Sequence, residues 1–255
     1  MVLVQEGERG PELADVAPPV SAVGRVTGTD AQGMPYLAVH RDDVPAGTRR
    51  ARLMEVLEQL PRSQAGVALR AVGFQHWVRA STHCPRCGSP ADLRPDGRSR
   101  LCASCGIEQH PRTDPAVMMS VTDDQDRLLL ARRAEAPPDR MSPPAGFVEP
   151  GESAEEAAVR ELLEEVGVRS AEITYVGSQS WPFPGSLMLA FAMRAASAEI
   201  QVDGDEIVAA RWFTREQVEA SVRCGDLVLP PAGSLAAALV ERWYGPGYGA
   251  FVARS

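Results

Sequence analysis

The spacing of apolar positions predicts short strands and then helices in the first third of the chain. Apolar and polar residues alternate within residues 23–40 on either side of a polar, glycine-containing stretch at 30–33, which predicts two strands around a turn. Residues 49–80 place apolar side chains at helical intervals, and Pro61 divides them into two predicted helices. The apolar stripe consists of Leu53, Val56, Leu57, Leu60, Leu69, Val72 and Trp77.

The pattern changes at Asp114. Apolar runs at 116–121 and 127–133 flank a polar turn and predict a hairpin, and further strands are predicted at 172–178, 187–193 and 206–213. Thr214 with Gln217 three residues later predicts a capped helix, and a last helix is predicted at 234–244. Several strands with a few helices favour an α/β sandwich built on a mixed sheet.

One predicted helix of this second part concentrates negative charge. Ser153 and Glu156 form a capping-box pattern at its start, and Gly167 is placed to end it. At 100° per residue, Glu161, Glu164 and Glu165 fall on one face. Converging carboxylates suit Mg²⁺ or Mn²⁺, although an isolated acidic run of this kind is more often a solvated helix face.

Four of the five cysteines form two C-x-x-C pairs, at Cys84, Cys87, Cys102 and Cys105, separated by fourteen residues. This spacing predicts a closed, structural Zn²⁺ site, and it makes two disulfides the less favoured alternative. Gly88 and Gly106 follow the pairs and permit the backbone to reverse. The fifth cysteine, Cys224, has no partner in the sequence.

Composition and charge exclude some classes of function. The formal net charge of −8 argues against nucleic-acid binding over the whole surface, although residues 79–112 carry six arginines against three acidic residues. The first sixteen residues lack the pattern of a signal peptide, and no apolar run is long enough to span a membrane. A cytoplasmic protein is expected.

The spacing around the glutamates resembles a known signature. Residues 146–168 match G-x5-E-x7-R-E-U-x-E-E-x-G-U, where U is aliphatic, at every specified position, and this is the signature of the Nudix hydrolases. The resemblance implies a Nudix α/β/α sandwich with a mixed sheet, and metal binding by the glutamates, with Glu165 also assisting deprotonation of water. It implies that Arg160 and Glu152 orient the helix.

A second segment, GSQSWPFPGSLMLAF at 177–191, resembles the S-Q-P-W-P-F-P-x-S run of the NADH pyrophosphatases, a Nudix subfamily, with Ser180 in place of a proline. The implied order is an N-terminal α+β domain at 1–80, a four-cysteine zinc ribbon at 81–112 and a Nudix domain at 113–255. Ala145, through its backbone, and Glu206 are implied as additional metal ligands. His110 replaces the tyrosine that is usual at the junction of ribbon and Nudix domain. The implied substrate contacts are His110, Phe147, Gln179, Ser180, Trp181, Pro182, Phe183, Pro184, Gly185, Ser186, Met188 and Ala236.

The reaction implied by this resemblance is cleavage of the pyrophosphate of NADH or NAD⁺ into nicotinamide mononucleotide and AMP, by a homodimer that uses Mg²⁺ or Mn²⁺ and carries structural Zn²⁺. The same chemical group forms the NAD cap of RNA, so capped RNA is a second implied substrate. A Nudix hydrolase of ADP-ribose or dinucleoside polyphosphates is an alternative, which the 177–186 run argues against. A zinc-ribbon nucleic-acid-binding module with an inactive Nudix domain is another, and the intact signature argues against it.

Overall fold

The computed structural model describes residues 2–7, 10–13, 25–29, 35–38, 45–53, 57 and 59–252. Two compact units are present. The first comprises Met1–Thr113 and Ser180–Ser186, and the second comprises Asp114–Gln179 and Leu187–Ser255. The turn predicted at 30–33 lies outside the described residues. The division of the first unit into separate domains at residue 80 stays a prediction.

Short antiparallel sheets and one long helix form the beginning of the first unit. Three strands pair in the order β2-β1-β5, and two others form the hairpin predicted around residues 30–33. The prediction of helix at 49–51 was wrong, because these residues pair as a strand with β1. A helix does follow Pro61 as predicted. The elements are β1 (Val2–Gly7), β2 (Gly10–Leu13), β3 (Arg25–Thr29), β4 (Pro35–Ala38), β5 (Arg49–Ala51) and α1 (Arg62–Ala80).

The remainder of the first unit before Thr113 is a small three-stranded sheet in the order β6-β7-β8. Its strands are β6 (Ala91–Leu93), β7 (Arg100–Cys102) and β8 (Glu108–Gln109). Both neighbouring pairs are antiparallel. The first C-x-x-C turn precedes β6, and the second begins at the last residue of β7 and lies between β7 and β8.

A six-stranded sheet organises the second unit, in the order β12-β13-β9-β10-β14, with β11 also paired to β9. Its strands are β9 (Asp114–Thr122), β10 (Leu128–Arg133), β11 (Ala145–Phe147), β12 (Ser170–Trp181), β13 (Ser186–Ala195) and β14 (Ile207–Phe213). The helices are α2 (Ala154–Val166), α3 (Arg215–Cys224), α4 (Leu235–Tyr244) and α5 (Tyr248–Val252). Every strand and helix predicted after Asp114 is present.

Strand β10 shows why this unit has three layers. Leu129 and Ala131 belong to the apolar cluster that includes α2, whereas Leu128 and Leu130 belong to the cluster that includes residues of α3, α4 and α5. Because side chains alternate across a strand, one buried apolar run supplies both faces of the sheet. Helices therefore cover both faces, which confirms the predicted α/β sandwich.

Across the described ranges, the structure contains no helix with the length and apolar character needed to cross a membrane.

Candidate active site

Helix α2 carries the glutamates, and its ends are fixed by the residues that the sequence indicated. The Ser153 hydroxyl accepts a hydrogen bond from the Glu156 amide at 3.2 Å, and the Ser153 amide donates to the Glu156 carboxylate at 2.8 Å. Gly167 ends the helix with φ of 71°, in the left-handed region. The capping box and the glycine cap are both confirmed.

Arg160 ties the helix to the loop that precedes it. Its Nε and Nη2 atoms donate to the two carboxylate oxygens of Glu152 at 2.6 and 2.9 Å, and Nη2 also donates to the Phe147 carbonyl at 2.9 Å. The hydrogen bonds from Arg160, together with one from the Glu149 amide, lower the pKa of Glu152 to about 2. The bidentate pair fixes the loop and the helix to one another, as a positioning role requires.

The remaining nitrogen of Arg160 faces the other glutamates. Nη1 donates to Glu161 Oε1 and to Glu164 Oε2, each at 2.9 Å. Burial raises the pKa of Glu161, while the Arg160 guanidinium opposes that rise. Arg160 therefore contacts three of the four acidic residues of the signature directly.

Gly146 is the position at which β11 meets the Glu161 carboxylate. A Cβ built on Gly146 would lie 2.0 Å from Glu161 Cδ and within 2.3 Å of both carboxylate oxygens. No side chain fits there, so the first glycine of the signature provides the space that the carboxylate occupies. The sequence shows Gly146 only as the first residue of the signature, because its contact with Glu161 depends on the packing of β11 against α2.

Glu165 is the most deeply buried of the three helix glutamates. It is 3% exposed, and neither of its carboxylate oxygens has a hydrogen-bond partner. Burial, together with the negative charges of Glu161 and Glu206, raises the pKa of the Glu165 carboxyl to about 8, while the Arg133 charge and the Ala145 backbone act in the opposite direction. An unpaired carboxyl in such surroundings is typical of a functional group rather than of a structural one.

Glu164 and Glu206 are more accessible to solvent. Their side chains are 61% and 47% exposed, and Glu206 Oε1 forms an ion pair with Arg133 Nη2 at 2.5 Å. The Arg133 charge lowers the pKa of Glu165, which places Arg133 in the electrostatic surroundings of the site. Because Arg133 and Glu206 are far apart in sequence, no local pattern could have identified this pair.

The donor set fits a divalent cation. Carboxylate oxygens are the ligands that Mg²⁺ and Mn²⁺ prefer, and the two buried, unpartnered oxygens of Glu165 lie beside the charge of Glu161. Within the described part of the chain, the four ribbon cysteines bring their sulfur atoms within 4.8 Å of one another. The oxygens of the glutamates do not converge to that extent. Glu161 and Glu164 instead each bind Arg160.

The two C-x-x-C turns of the ribbon have the same backbone geometry. The Gly88 amide donates to the Cys84 carbonyl and the Gly106 amide donates to the Cys102 carbonyl, each at 2.9 Å, and both glycines have φ of 72°. The cysteines are unbonded to one another: Cys84 and Cys105 sulfurs lie 3.6 Å apart, and those of Cys87 and Cys102 lie 3.5 Å apart. Four convergent thiols without disulfides fit a tetrahedral Zn²⁺ site. Cys224 is exposed and is not a member of this group.

The predicted substrate residues divide between the two units. His110 and Ser180–Ser186 are grouped with the first unit, and Phe147, Gln179, Met188 and Ala236 with the second, as are the predicted metal ligands Ala145 and Glu206. Phe147 is 59% exposed although it is aromatic, whereas Ser186 and Ala236 are buried. A role in substrate binding stays a prediction for each of these residues.

Gln179 has a backbone-binding role that the sequence did not suggest. Its Nε2 donates to the Gly233 carbonyl at 2.7 Å, and its Oε1 accepts from the Leu235 amide at 2.7 Å. The side-chain amide thus holds the turn before α4 and the first residue of that helix. Ala236, another predicted substrate residue, lies in the same first turn.

The arginines of the ribbon do not all contribute to its surface. Arg100 is 9% exposed, donates to the carbonyls of Ala91 and Val78 at 2.7 and 2.8 Å, and lies 6.0 Å from the centre of the Trp77 ring. It therefore joins the ribbon sheet to the end of α1. The other five arginines of residues 79–112 are exposed: Arg79, Arg86, Arg94, Arg98 and Arg112.

Comparisons with known proteins agree with this geometry. The family model for the NUDIX domain matches residues 112–229, and the model for the NADH pyrophosphatase zinc ribbon domain matches residues 79–109. A crystal structure of a NUDIX hydrolase from Nitrosomonas europaea is similar with a TM-score of 0.50 and 23% identity, covering 64% of this chain and 90% of that one, which supports the fold alone.

Several curated relatives are similar over much of the chain. The NAD-capped RNA hydrolase NUDT12 of Homo sapiens is 39% identical over 202 residues, which are 74% of this chain and 44% of that protein, so the chain spans less than half of that relative. The NAD-capped RNA hydrolase NudC of Stutzerimonas stutzeri is 39% identical over 78% of this chain and 70% of its own length. NudC of Mycobacterium tuberculosis strain H37Rv is 36% identical over 91% and 78% respectively. The chain belongs to the Nudix hydrolase family, in the branch that carries the NADH pyrophosphatase type of zinc ribbon.

Proposed function

We propose that this protein hydrolyses the pyrophosphate bond of NADH and NAD⁺, giving nicotinamide mononucleotide and AMP. The observation that carries the proposal is the buried Glu165 carboxyl with two unpartnered oxygens, placed beside Glu161 within a complete Nudix signature. The subfamily of the zinc ribbon and the names of the relatives support NAD as the chemical class of substrate.

The residues that would hold Mg²⁺ or Mn²⁺ are Glu161, Glu164, Glu165 and Glu206, together with the Ala145 carbonyl. When bound, such ions supply charge neutralisation at the pyrophosphate and activation of a water molecule.

The chain's own residues prepare this site. Arg160 holds α2 and the loop at Glu152 in one arrangement, so the carboxylates do not have to be ordered when substrate binds. The space at Gly146 lets β11 approach the Glu161 carboxylate closely. Glu165 is the proposed residue for assisting deprotonation of the attacking water, because it is the buried carboxyl of the signature and neither of its oxygens is held by a hydrogen-bond partner.

The zinc ribbon is proposed to hold one structural Zn²⁺, and the protein is proposed to work as a homodimer in the cytoplasm. Cys84, Cys87, Cys102 and Cys105 would be the ligands of the zinc ion. The closed all-sulfur set leaves no open coordination position for a substrate, so no catalytic part is assigned to it.

The test is hydrolysis of NADH, NAD⁺ and ADP-ribose with Mg²⁺ or Mn²⁺, measured as AMP released. We expect turnover of both dinucleotides and a loss of at least about 100-fold in Glu165→Gln, because one carboxylate of the site becomes neutral. Glu155→Gln, an exposed glutamate in the first turn of the same helix, is the matched control and retains activity. Absence of dinucleotide turnover, or ADP-ribose as the preferred substrate, would contradict the proposal.

Removal of the NAD cap from RNA is a second candidate activity, supported by the five exposed arginines of residues 79–112 and by the names of the relatives. Phosphate contacts release counterions, so kcat/KM for NAD-capped RNA is expected to fall steeply between about 50 and 200 mM salt, while that for free NADH changes little. Arg86→Gln combined with Arg94→Gln is expected to reduce the salt dependence for capped RNA alone. Equal salt dependence for both substrates would contradict the RNA proposal.

A further inference from the structure

The segment Ser180–Ser186, here called the WPFP segment, is grouped with the first unit, although the strands before and after it belong to the sheet of the second. Pro182 lies against helix α1 at Gly73, where an added Cβ would be 3.3 Å from Pro182 Cβ. Pro182 is buried. The missing side chain at Gly73 thus provides the flat helix surface on which Pro182 packs.

Phe183 is the second point of attachment. It packs against the apolar cluster of the first unit that contains Ala68 and Val72 of α1. Its ring also meets the His76 ring edge-on, with centroids 6.2 Å apart, and the Trp181 ring edge-on at 5.3 Å. These contacts of the partly buried ring attach the middle of the segment to α1.

His76 supplies a polar contact at the far end of the segment. Its Nδ1 atom lies 3.3 Å from the Pro184 carbonyl oxygen. A carbonyl can only accept, so Nδ1 carries the proton and donates. Gly73 and His76 are three residues apart and share one face of α1, so a single helix face contacts Pro182, Phe183 and Pro184 in succession.

We propose that α1 is a positioning element for substrate recognition, and that Gly73 and His76 hold the WPFP segment in the conformation that binds the dinucleotide. This rests on the proposed function, because the substrate role of the segment comes from its resemblance to the NADH pyrophosphatase run. Pro182 and Phe183 serve as anchors on α1, which leaves the half-buried Trp181 for the ligand.

The physical consequence is preorganisation. A loop that is already ordered on α1 does not lose conformational freedom when the substrate binds, and this improves binding without altering the groups that cleave the pyrophosphate. Loosening the attachment is therefore expected to raise KM and to leave kcat largely unchanged.

Gly73→Ala tests this with a matched control. Both Gly73 and Gly66 lie within α1, and alanine at either position favours the helix, but an added Cβ at Gly66 has no heavy atom within 4 Å. Each substitution is expected to preserve or raise the melting temperature. Gly73→Ala is expected to raise KM for NADH about fivefold at near-constant kcat, whereas Gly66→Ala leaves both unchanged.

His76 gives an independent comparison. His76→Ala removes the donor to the Pro184 carbonyl and is expected to raise KM in the same way, and His76→Gln, which keeps an N–H donor, is expected to restore part of the loss. If the wild type, His76→Ala and His76→Gln had equal KM values, His76 would have no positioning role.

Hydrogen exchange of the amides in residues 180–186 separates this proposal from the proposed function, since it requires no turnover. We expect faster exchange in Gly73→Ala and His76→Ala than in the wild type and in Gly66→Ala. If the two variants exchange faster but the wild-type protein does not hydrolyse NADH, the proposed activity is wrong and the attachment of residues 180–186 to α1 still holds. Unchanged exchange and unchanged KM in Gly73→Ala would overturn the positioning role itself.

Discussion

Replacement of Glu165 by glutamine should stabilise the metal-free protein while it removes activity. The wild-type carboxyl is 3% exposed, and neither oxygen has a hydrogen-bond partner. A neutral amide of nearly the same shape avoids the cost of placing a charge there, and its NH₂ group can donate to the neighbouring carboxylate of Glu161.

The size of this effect follows from the pKa of Glu165, which rises from 4.5 to about 8 on folding. Below about pH 4.5 both the folded and the unfolded states hold the proton, so the group contributes nothing to the pH dependence. Between the two pKa values only the folded state holds it, and stability falls by about 1.4 kcal/mol per pH unit. The stabilisation by Glu165→Gln is therefore expected to be under about 1 kcal/mol at pH 5, about 3 kcal/mol at pH 7 and about 5 kcal/mol above pH 8.

The assay is thermal unfolding in EDTA at pH 5, 7 and 9, followed by the same measurement with excess Mn²⁺. Each kcal/mol corresponds to roughly 2–4 °C for a chain of this size, so a difference of several degrees is expected at pH 7. Addition of Mn²⁺ is expected to stabilise the wild type more than the variant, because the ion binds only the folded state. Glu164→Gln is the control, since this glutamate is 61% exposed and its loss should change stability by less than about 0.5 kcal/mol.

Two results would refute this reasoning. If Glu165→Gln were less stable than the wild type in EDTA at pH 7, the carboxylate would have a favourable partner that its burial conceals. If Mn²⁺ stabilised both proteins equally, Glu165 would not be a ligand of the ion.

Three further predictions concern the other polar groups. Metal analysis of protein purified without chelator should find about one zinc per chain. Cys84→Ser should lose this zinc, whereas Cys224→Ser, at an exposed cysteine, should retain it. Zinc retained in both variants would contradict the four-cysteine site. Arg160→Lys should lower kcat/KM for NADH about 10- to 100-fold, because lysine cannot bind Glu152 with two parallel bonds, and unchanged kinetics would remove the positioning role. Arg100→Met should lower the unfolding free energy by about 1–3 kcal/mol, measured in urea, because the carbonyl oxygens of its partners lose their donors; a neutral result would show that water replaces them.

Local signals in the sequence were sufficient for the ends of α2 and for the zinc ribbon. The capping box at Ser153 and the glycine turns at Gly88 and Gly106 depend on bonds between residues at most five apart, so short patterns determine them. The spacing of the signature likewise places all three glutamates on α2, and their role as metal ligands stays a prediction.

Features that depend on distant contacts could not be predicted in this way. Arg49–Ala51 has no strand signal of its own and becomes a strand because β1 pairs with it. Nothing in the spacing of the glutamates distinguishes buried Glu165 from exposed Glu164, since that difference arises where the sheet covers one side of the helix. Gln179 resembles a substrate ligand in its motif, yet its amide binds the backbone of a turn more than fifty residues later.

Exchange of modules between relatives is constrained by the path of the chain at Ser180–Ser186. This segment is encoded between two strands of the catalytic sheet but packs within the first unit, against Gly73 and His76. A chimera that joins the first 113 residues of one relative to the remainder of another would take α1 from one parent and residues 180–186 from the other. Successful recombination therefore requires that α1 and residues 180–186 be inherited from the same parent, even though about a hundred residues separate them.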